Sequence, residues 1–503
     1  MAAAALAWSL AAAVAVTGLG LASAPAAQAG KAKLTAKQRK QQRLKKIRRA
    51  NRKQKRPNIL VVMTDDQSNS MAGLPRTARL IGGKGTTFRS SYVSFPLCCP
   101  ARATFLTGQY AHNHGVVSTR LPNGYNALNH GETLATWLRA AGYRTGMVGK
   151  YLNGYGIRDG IPERKPDAKQ IPKGWSEWYA LTKGTDQRRY HFRLNENGKI
   201  RKYKKGRRSY VTDVLNRKAV KFVKRYAPRK KPFFLWYNPT APHGEAALPT
   251  WSLRNPRPAR RHLGLFNSAH RPRAPNFNEQ DVSNKPPFVR TRPPLGPAEI
   301  ADIDNRHRGR IESLLSVDEG VKRLMKRLRK AKDMRKTYIF FTSDNGLALG
   351  AHRLLYKNYL YEEDTRVPLM IKGPRFPKGA VRDQPVSNVD LAPTILELTG
   401  VRARLPLDGR SLLGRAINPG AGVGRELLLE RAAGGPGIRE AAIRKGRWIY
   451  IDRLPASTDE LYDLAADPFQ LKNLHDDPAH AGIRDQLAQR LARIRSCRGS
   501  ACP

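Results

Sequence analysis

Apolar residues in this chain recur as short unbroken runs, separated by turns or by stretches with helical spacing, and this alternation predicts an α/β fold around a buried sheet. The first run, Pro57-Asn58-Ile59-Leu60-Val61-Val62-Met63, is short enough for a buried strand and ends in Thr64-Asp65-Asp66-Gln67. Further strands are expected within Gly142–Leu152, Pro232–Asn238 and Thr337–Thr342. Helical spacing marks Leu134, Trp137 and Leu138, then Val211–Tyr226, then Ile311–Lys332, where Leu314, Leu315, Val317, Val321, Leu324 and Leu328 share a face. Alternation on both sides of Asn195-Glu196-Asn197-Gly198 predicts a β-hairpin. A smaller unit follows, with strands near 424–431, 438–445 and 447–452, a further segment Glu460–Leu464, and a helix over 480–496. No solenoid-like internal repeat is present.

Polar residues concentrate where the expected strands end. Open α/β sheets place ligands outside the carboxyl ends of their strands. Asp65-Asp66 ends one strand and Ser343-Asp344-Asn345-Gly346 ends another. Either pair alone reads as a polar turn, but together they read as oxygen ligands for a hard divalent cation. His243 lies just past a third strand end. In Cys98-Cys99-Pro100-Ala101-Arg102, Pro100 suits the first turn of a helix, which Ala103–Leu106 continue. Residue 98 then sits at a helix N-terminus, where free N–H groups favour an anion. Arg102, about one turn on, can add charge-assisted hydrogen bonds.

A chain of 503 residues supports two or three domains, or one large α/β domain with an appendage. Lys and Arg number 92 against 39 Asp and Glu, a net charge of +53, which points to a polyanionic substrate, surface or nucleic acid. No nucleic-acid reading motif occurs, so specific recognition of that partner is not expected. Residues 1–29 are rich in Ala, Leu and Val and end in Ala27-Gln28-Ala29, a pattern that reads as a signal peptide. Export to the periplasm, cell surface or medium is the consequence. From Lys31 to Arg56 there are 14 basic residues and no acidic one. This stretch reads as a solvated linker (30–56) and as a tether to an anionic cell-surface polymer.

Cys98-x-Pro100-x-Arg102, followed by Leu106-Thr107-Gly108, resembles the signature of the type I sulfatases, in which the cysteine is oxidised to formylglycine (3-oxoalanine). Ala101 stands where that family usually has serine. Gly149-Lys150-Tyr151-Leu152 resembles the second signature, with Leu152 in place of a frequent histidine, as is familiar in the glucosamine-6-sulfatase branch. Lys357 ahead of Tyr361–Leu369, and Asn388–Thr394, match further family patterns. The resemblance covers about residues 57–475 and is nearest to the N-acetylglucosamine-6-sulfatase and heparan-sulfatase branch.

It implies an alkaline-phosphatase-like α/β/α sandwich with a central mixed sheet and a smaller C-terminal antiparallel sheet plus helix. The catalytic domain would span 57–415 and the C-terminal subdomain 416–503. Asp65, Asp66, Asp344 and Asn345, with residue 98, would bind Ca²⁺, or alternatively Mg²⁺. Cys98, Arg102, Lys150, His243 and Lys357 would be catalytic, with His112-Asn113-His114-Gly115 in a loop near the site. The substrate would be a sulfated carbohydrate or aryl sulfate, and a formylglycine-generating enzyme would be a partner. Conversion of Cys98 would leave Cys497 and Cys502 as a terminal disulfide and Cys99 as a buried thiol. Residues 244–300, rich in Pro, Arg and Asn with little periodicity, would form the cleft rim. Two rivals are a phosphodiesterase or phosphonate monoester hydrolase on this scaffold, and a non-catalytic exported polyanion-binding protein. Binding alone would not require the complete set of metal-ligand positions.

Overall fold

Strand β1 (Asn58–Thr64) is buried along its whole length, because it lies between two parallel neighbours with helices over both faces. The computed structural model describes residues 56–156, 168–182, 187–204, 206, 208–246, 253–432, 437–453 and 459–503. The signal segment expected over 1–29 and all but the last residue of the basic linker lie outside them.

The other strands of the large sheet are β2 (Thr86–Phe88), β3 (Arg144–Gly149), β4 (Glu177–Leu181), β5 (Phe192–Glu196), β6 (Lys199–Tyr203), β7 (Phe233–Asn238), β8 (Thr337–Ser343), β9 (Leu369–Lys372) and β10 (Ala380–Arg382). Their spatial order is β10-β2-β9-β8-β1-β7-β3-β4-β5-β6. The middle of the sheet, β8 to β4, is parallel, and antiparallel pairs flank it on both sides.

Period-two alternation divides β1 between two cores. Ile59, Val61 and Met63 face one layer, where they join Phe105 of α1 (Cys98–Thr107), Trp137 of α2 (Leu134–Ala140) and Ile395 in a later helix, Leu391–Thr399. Leu60 and Val62 face the opposite layer, built on α3 (Val211–Tyr226) and α4 (Pro297–Lys330). The result is a three-layer α/β/α sandwich, the alkaline-phosphatase-like arrangement.

Helix α4 begins at Pro297, well before the Ile311 expected from periodicity. Its early turns carry Asp302, Asp304, Asn305, Arg306, His307 and Arg308, which show no continuous apolar stripe. What starts the helix is local: Pro297 takes the first helical position and Glu299 accepts from Gly296 N–H at 2.9 Å. The preceding segment, expected to lack regular structure, contains a small hairpin (Glu245–Ala246 with Leu253–Arg254) and a helical turn, Pro287–Arg290.

A second sheet, β11 (Glu426–Arg431), β12 (Glu440–Lys445), β13 (Trp448–Arg453) and β14 (Glu460–Asp463), is an antiparallel meander. Leu487, Leu491 and Ile494 of α5 (Ala481–Ile494) pack on it, and Cys497–Cys502 form a disulfide just beyond. Both sheets belong to one compact unit. Among the described residues no helix is long and apolar enough to cross a membrane.

Candidate active site

Parallel register brings the acidic residues together. Thr64 pairs with Ser343, so the segments leaving β1 and β8 emerge side by side at one edge of the sheet, one carrying Asp65 and Asp66 and the other Asp344 and Asn345. Lys150 follows β3 and His243 lies beyond the end of β7, on the same edge. Cys98 opens α1, and Pro100 occupies its first turn as the sequence suggested. Lys357 arrives on a loop from the far side of the chain.

These residues converge. Ligand atoms of Asp65, Asp66, Cys98 and Asp344 all lie within 4.8 Å of one another, and all four residues are buried. Asn345 Nδ2 donates to Asp66 Oδ1 at 2.8 Å, while Asn345 Oδ1 is buried with no hydrogen-bond partner. Lys150 Nζ donates to both Asp65 oxygens, at 2.9 and 2.8 Å, and lies 3.3 Å from Cys98 Sγ. Lys357 Nζ donates to Asp66 Oδ1 and sits 2.9 Å from Cys98 Sγ. Arg102 Nε donates to Asp344 Oδ2 and Nη1 to the Lys150 carbonyl, both at 2.8 Å. Its Nη2 is buried without a hydrogen bond. His243 Nδ1 donates to the Gly244 carbonyl at 2.7 Å, leaving Nε2 at 3.6 Å from Asp66 Oδ2.

Charge governs the site. Burial would raise the Asp65 carboxyl, but Lys150, then His243, Arg102 and Lys357 outweigh it and hold the group well below the ordinary carboxylate range. Burial would strip Lys150 of its proton, and Asp65 keeps it on. Burial pulls the His243 ring down to about 4 against the opposing pull of Asp66 and Asp65. It pushes the Cys98 thiol far up despite Lys150 and Lys357, so an unmodified cysteine here is a poor nucleophile.

Two supporting residues escaped sequence reading. Arg310 on α4 donates to the carbonyls of Asp66 and, at 3.3 Å, Pro242. Arg189 donates to Thr240 Oγ1 at 3.0 Å and to the His243 carbonyl, fixing that loop. Among 92 basic residues nothing in the sequence marks these two as buried. Asp66 adopts a left-handed φ of 66°, held by Asp66 N–H on Asp344 Oδ1 at 3.1 Å and Gln67 N–H on Ser343 Oγ at 2.9 Å.

The His112–His114 segment is corrected in form: Ala111–His114 is a helical turn, not an open loop. His112 bridges Glu430 Oε1 at 2.5 Å and the Cys497 carbonyl at 2.7 Å, tying the large sheet's helical layer to the small sheet. His114 Nε2 meets Thr104 Oγ1 at 3.1 Å. Cys99 is a buried free thiol.

Known proteins share this architecture. The sulfatase family matches residues 57–401, and a second family, "N-sulphoglucosamine sulphohydrolase, C-terminal", matches 350–497. An N-acetylglucosamine-6-sulfatase of Capra hircus is 33% identical over 500 residues, covering 89% of this chain and 85% of that protein. The solved structure of BT4656 in complex with its substrate D-glucosamine-2-N,6-O-disulfate is 25% identical with a TM-score of 0.71, over 87% of this chain and 97% of that one. A phosphonate monoester hydrolase of Agrobacterium radiobacter shares the fold at 20% identity and a TM-score of 0.67, over 88% and 96% of the two chains. With a family match spanning most of the chain and a relative aligned along nearly all of it, the protein belongs to the sulfatase family and is a sulfate-ester hydrolase.

Proposed function

We propose that this sulfatase removes sulfate from sulfated sugars, with 6-O-sulfated N-acetylglucosamine units as the preferred class, using formylglycine at position 98 and Ca²⁺. The observation that carries the chemistry is the convergence of Asp65, Asp66, Asp344 and Cys98 on one buried point, flanked by Lys150 and Lys357. The sugar class rests on the relatives' activities.

The donor set fits a hard cation. Three carboxylates and the otherwise unpartnered Asn345 Oδ1 offer only oxygen. Cys98 Sγ stands in for an oxygen of the aldehyde hydrate that the modified residue would carry. An irregular, carboxylate-rich set suits Ca²⁺ better than the strict octahedron of Mg²⁺. With both groups present, the cation would polarise the sulfate and the hydrate would supply the attacking oxygen.

The chain's own side chains would do the rest. Lys150 and Lys357, both held protonated by neighbouring carboxylates, would grip sulfate oxygens at the two flanks of residue 98. Arg102 would lock Asp344 and the end of β3 in place, with Nη2 turned toward Asp65 at 3.9 Å. His243, oriented through Nδ1 by the Gly244 carbonyl, would take up a proton at Nε2 as the anionic sulfate arrives and donate it to a sulfate oxygen. Lys357, the cation nearest residue 98, would donate the proton that the departing sugar oxygen needs. Residues 1–29 would direct export, 30–56 would tether the enzyme to an anionic surface polymer, and a formylglycine-generating enzyme would act on Cys98 beforehand.

Peptide mass analysis around residue 98 should show an aldehyde in place of the thiol. The purified enzyme should then release sulfate from 6-O-sulfated N-acetylglucosamine faster than phosphate from the matched phosphate ester. An intact thiol together with absent turnover would sink the reading.

A further inference from the structure

A cavity of about 310 Å³ adjoins the cluster, at the lower end of the range for small-ligand sites. Gln67 and Ser68, which directly follow Asp66, line it together with Arg271, His307 and Arg310. Arg310, Leu347 and Leu349 also line the recess that contains Asp66, Gly244 and Tyr356, so the two spaces share a wall.

Of the arginines lining this cavity, Arg366 pairs with Glu362 at 3.6 Å, whereas among the described residues Arg271 and Arg310 make no ion pair. Among the described residues, buried Arg310 donates only to the Pro242 and Asp66 carbonyls. Arg271 is held through its backbone, N–H on Asp304 Oδ1 at 2.8 Å and C=O on Arg273. Among the described residues neither its guanidinium nor the His307 ring makes a hydrogen bond or an ion pair. Nearby acids are engaged elsewhere: Asp304 by His270 at 2.9 Å and Arg273 at 2.7 Å, Glu362 by Tyr92 at 3.1 Å and Arg444 at 3.5 Å. Burial, then Arg271 and Arg310, pull the His307 ring down to about 4. Glu363 Oε2 borders the same cavity as a buried acceptor with no hydrogen bond.

We propose that Arg271, His307 and Arg310 form a subsite for a second anionic group of the sulfated sugar, while Glu363 Oε2 accepts from a hydroxyl or amine of that sugar. The proposal rests on the sulfate-ester reading above and adds a preference for doubly charged over singly charged substrates. Planar guanidinium groups suit sulfate or carboxylate, and losing one such contact costs about tenfold in affinity. An N-sulfate on the same sugar and the carboxylate of a linked uronate share this chemistry.

The test compares kcat/KM of the formylglycine-bearing enzyme and its Arg271→Gln variant on three esters: glucosamine 6-O-sulfate, its 2-N,6-O-disulfate, and a uronate-linked 6-O-sulfated disaccharide. The wild type should prefer one of the doubly charged esters, and Arg271→Gln should cut that preference about tenfold through KM. The ester whose advantage disappears identifies the anion. A wild type with no preference, or a variant that retains it, overturns the subsite.

A second arm titrates N-sulfoglucosamine and a uronate disaccharide, both lacking the 6-sulfate, into Cys98→Ala protein with and without Arg271→Gln. Weaker binding in the double variant supports the subsite even if no ester is hydrolysed, in which case only the sulfate-ester reading fails. Equal or absent binding overturns the subsite. If melting curves show Arg271→Gln unfolded, His307→Gln replaces it in both arms.

Discussion

Two buried networks of charge lie in this molecule, and they differ in whether their oxygen acceptors are closed off by donors. Beneath the small sheet, Arg453 sits between Glu440 and Glu460, with Arg431 on the other Glu440 oxygen and the hydroxyls of Tyr361 and Tyr462 on Glu460 at 2.7 and 2.6 Å. Every carboxylate oxygen of that network is taken, and the buried atoms left without a hydrogen bond there are donors, Arg431 Nε and Arg453 Nε. At the strand ends of the large sheet, Asp65, Asp66 and Asp344 are also buried and paired, yet among the described residues the acceptor Asn345 Oδ1 has no hydrogen bond, and Arg102 Nη2 reaches only Asp65 Oδ1, at 3.9 Å. Both networks bring carboxylates and cations out of water, which is costly unless all polar atoms are met. The closed one holds a fold together; the open one keeps room for a ligand to complete it.

The strongest way to sharpen this contrast is Cys98→Ala. It should lower kcat by on the order of 10⁴-fold or more while leaving the melting temperature nearly unchanged. A large loss of stability would make residue 98 a packing residue instead.

Arg453→Met should do the reverse. Leaving Glu460 buried without a counter-ion and Glu440 with Arg431 alone should cost about 3–5 kcal/mol in urea unfolding, with kcat per folded molecule unaltered. Adding Glu440→Gln and Glu460→Gln should return much of that stability.

Asp344→Asn should raise the Ca²⁺ concentration needed for half-maximal activity and reduce kcat/KM by on the order of 10²-fold, about 2.7 kcal/mol. Chelation of the wild type should abolish turnover, and added Ca²⁺ should restore both turnover and melting temperature. Activity indifferent to chelation would break the comparison at its centre.

The smallest effect concerns the contact between the two sheets. Burial opposes protonation of His112, but Glu430 prevails and raises the ring above its ordinary value. A raised folded-state pKa gives stability that is complete below about pH 6.5 and disappears as pH rises through the raised value. His112→Gln should therefore cost about 1 kcal/mol at pH 6 and progressively less on the alkaline side, read from urea midpoints across that range.

Much of the site was legible because its residues sit at positions where sequence pattern and chain geometry agree. Strand ends are marked by the switch from apolar to polar residues, so Asp65-Asp66 and Asp344-Asn345 could be paired before their strands were seen side by side. Arg310 and Arg189 could not, because a basic side chain carries no local sign of whether it will be solvated or folded inward. The early turns of α4 were missed for a related reason: their polar residues border a cleft, so no apolar stripe records them.

By itself the sequence determined the strand runs, the amphipathic helices and the cysteine signature, since each depends on neighbours within a few residues and on the period of the backbone. Only the tertiary structure decided which buried charges would be closed by partners and which left open, because that balance is set by side chains from distant segments meeting in a low-dielectric interior. Asp66, Cys98, Asp344 and Lys357 meet only when β1, α1, β8 and a later loop are brought to one edge of the sheet.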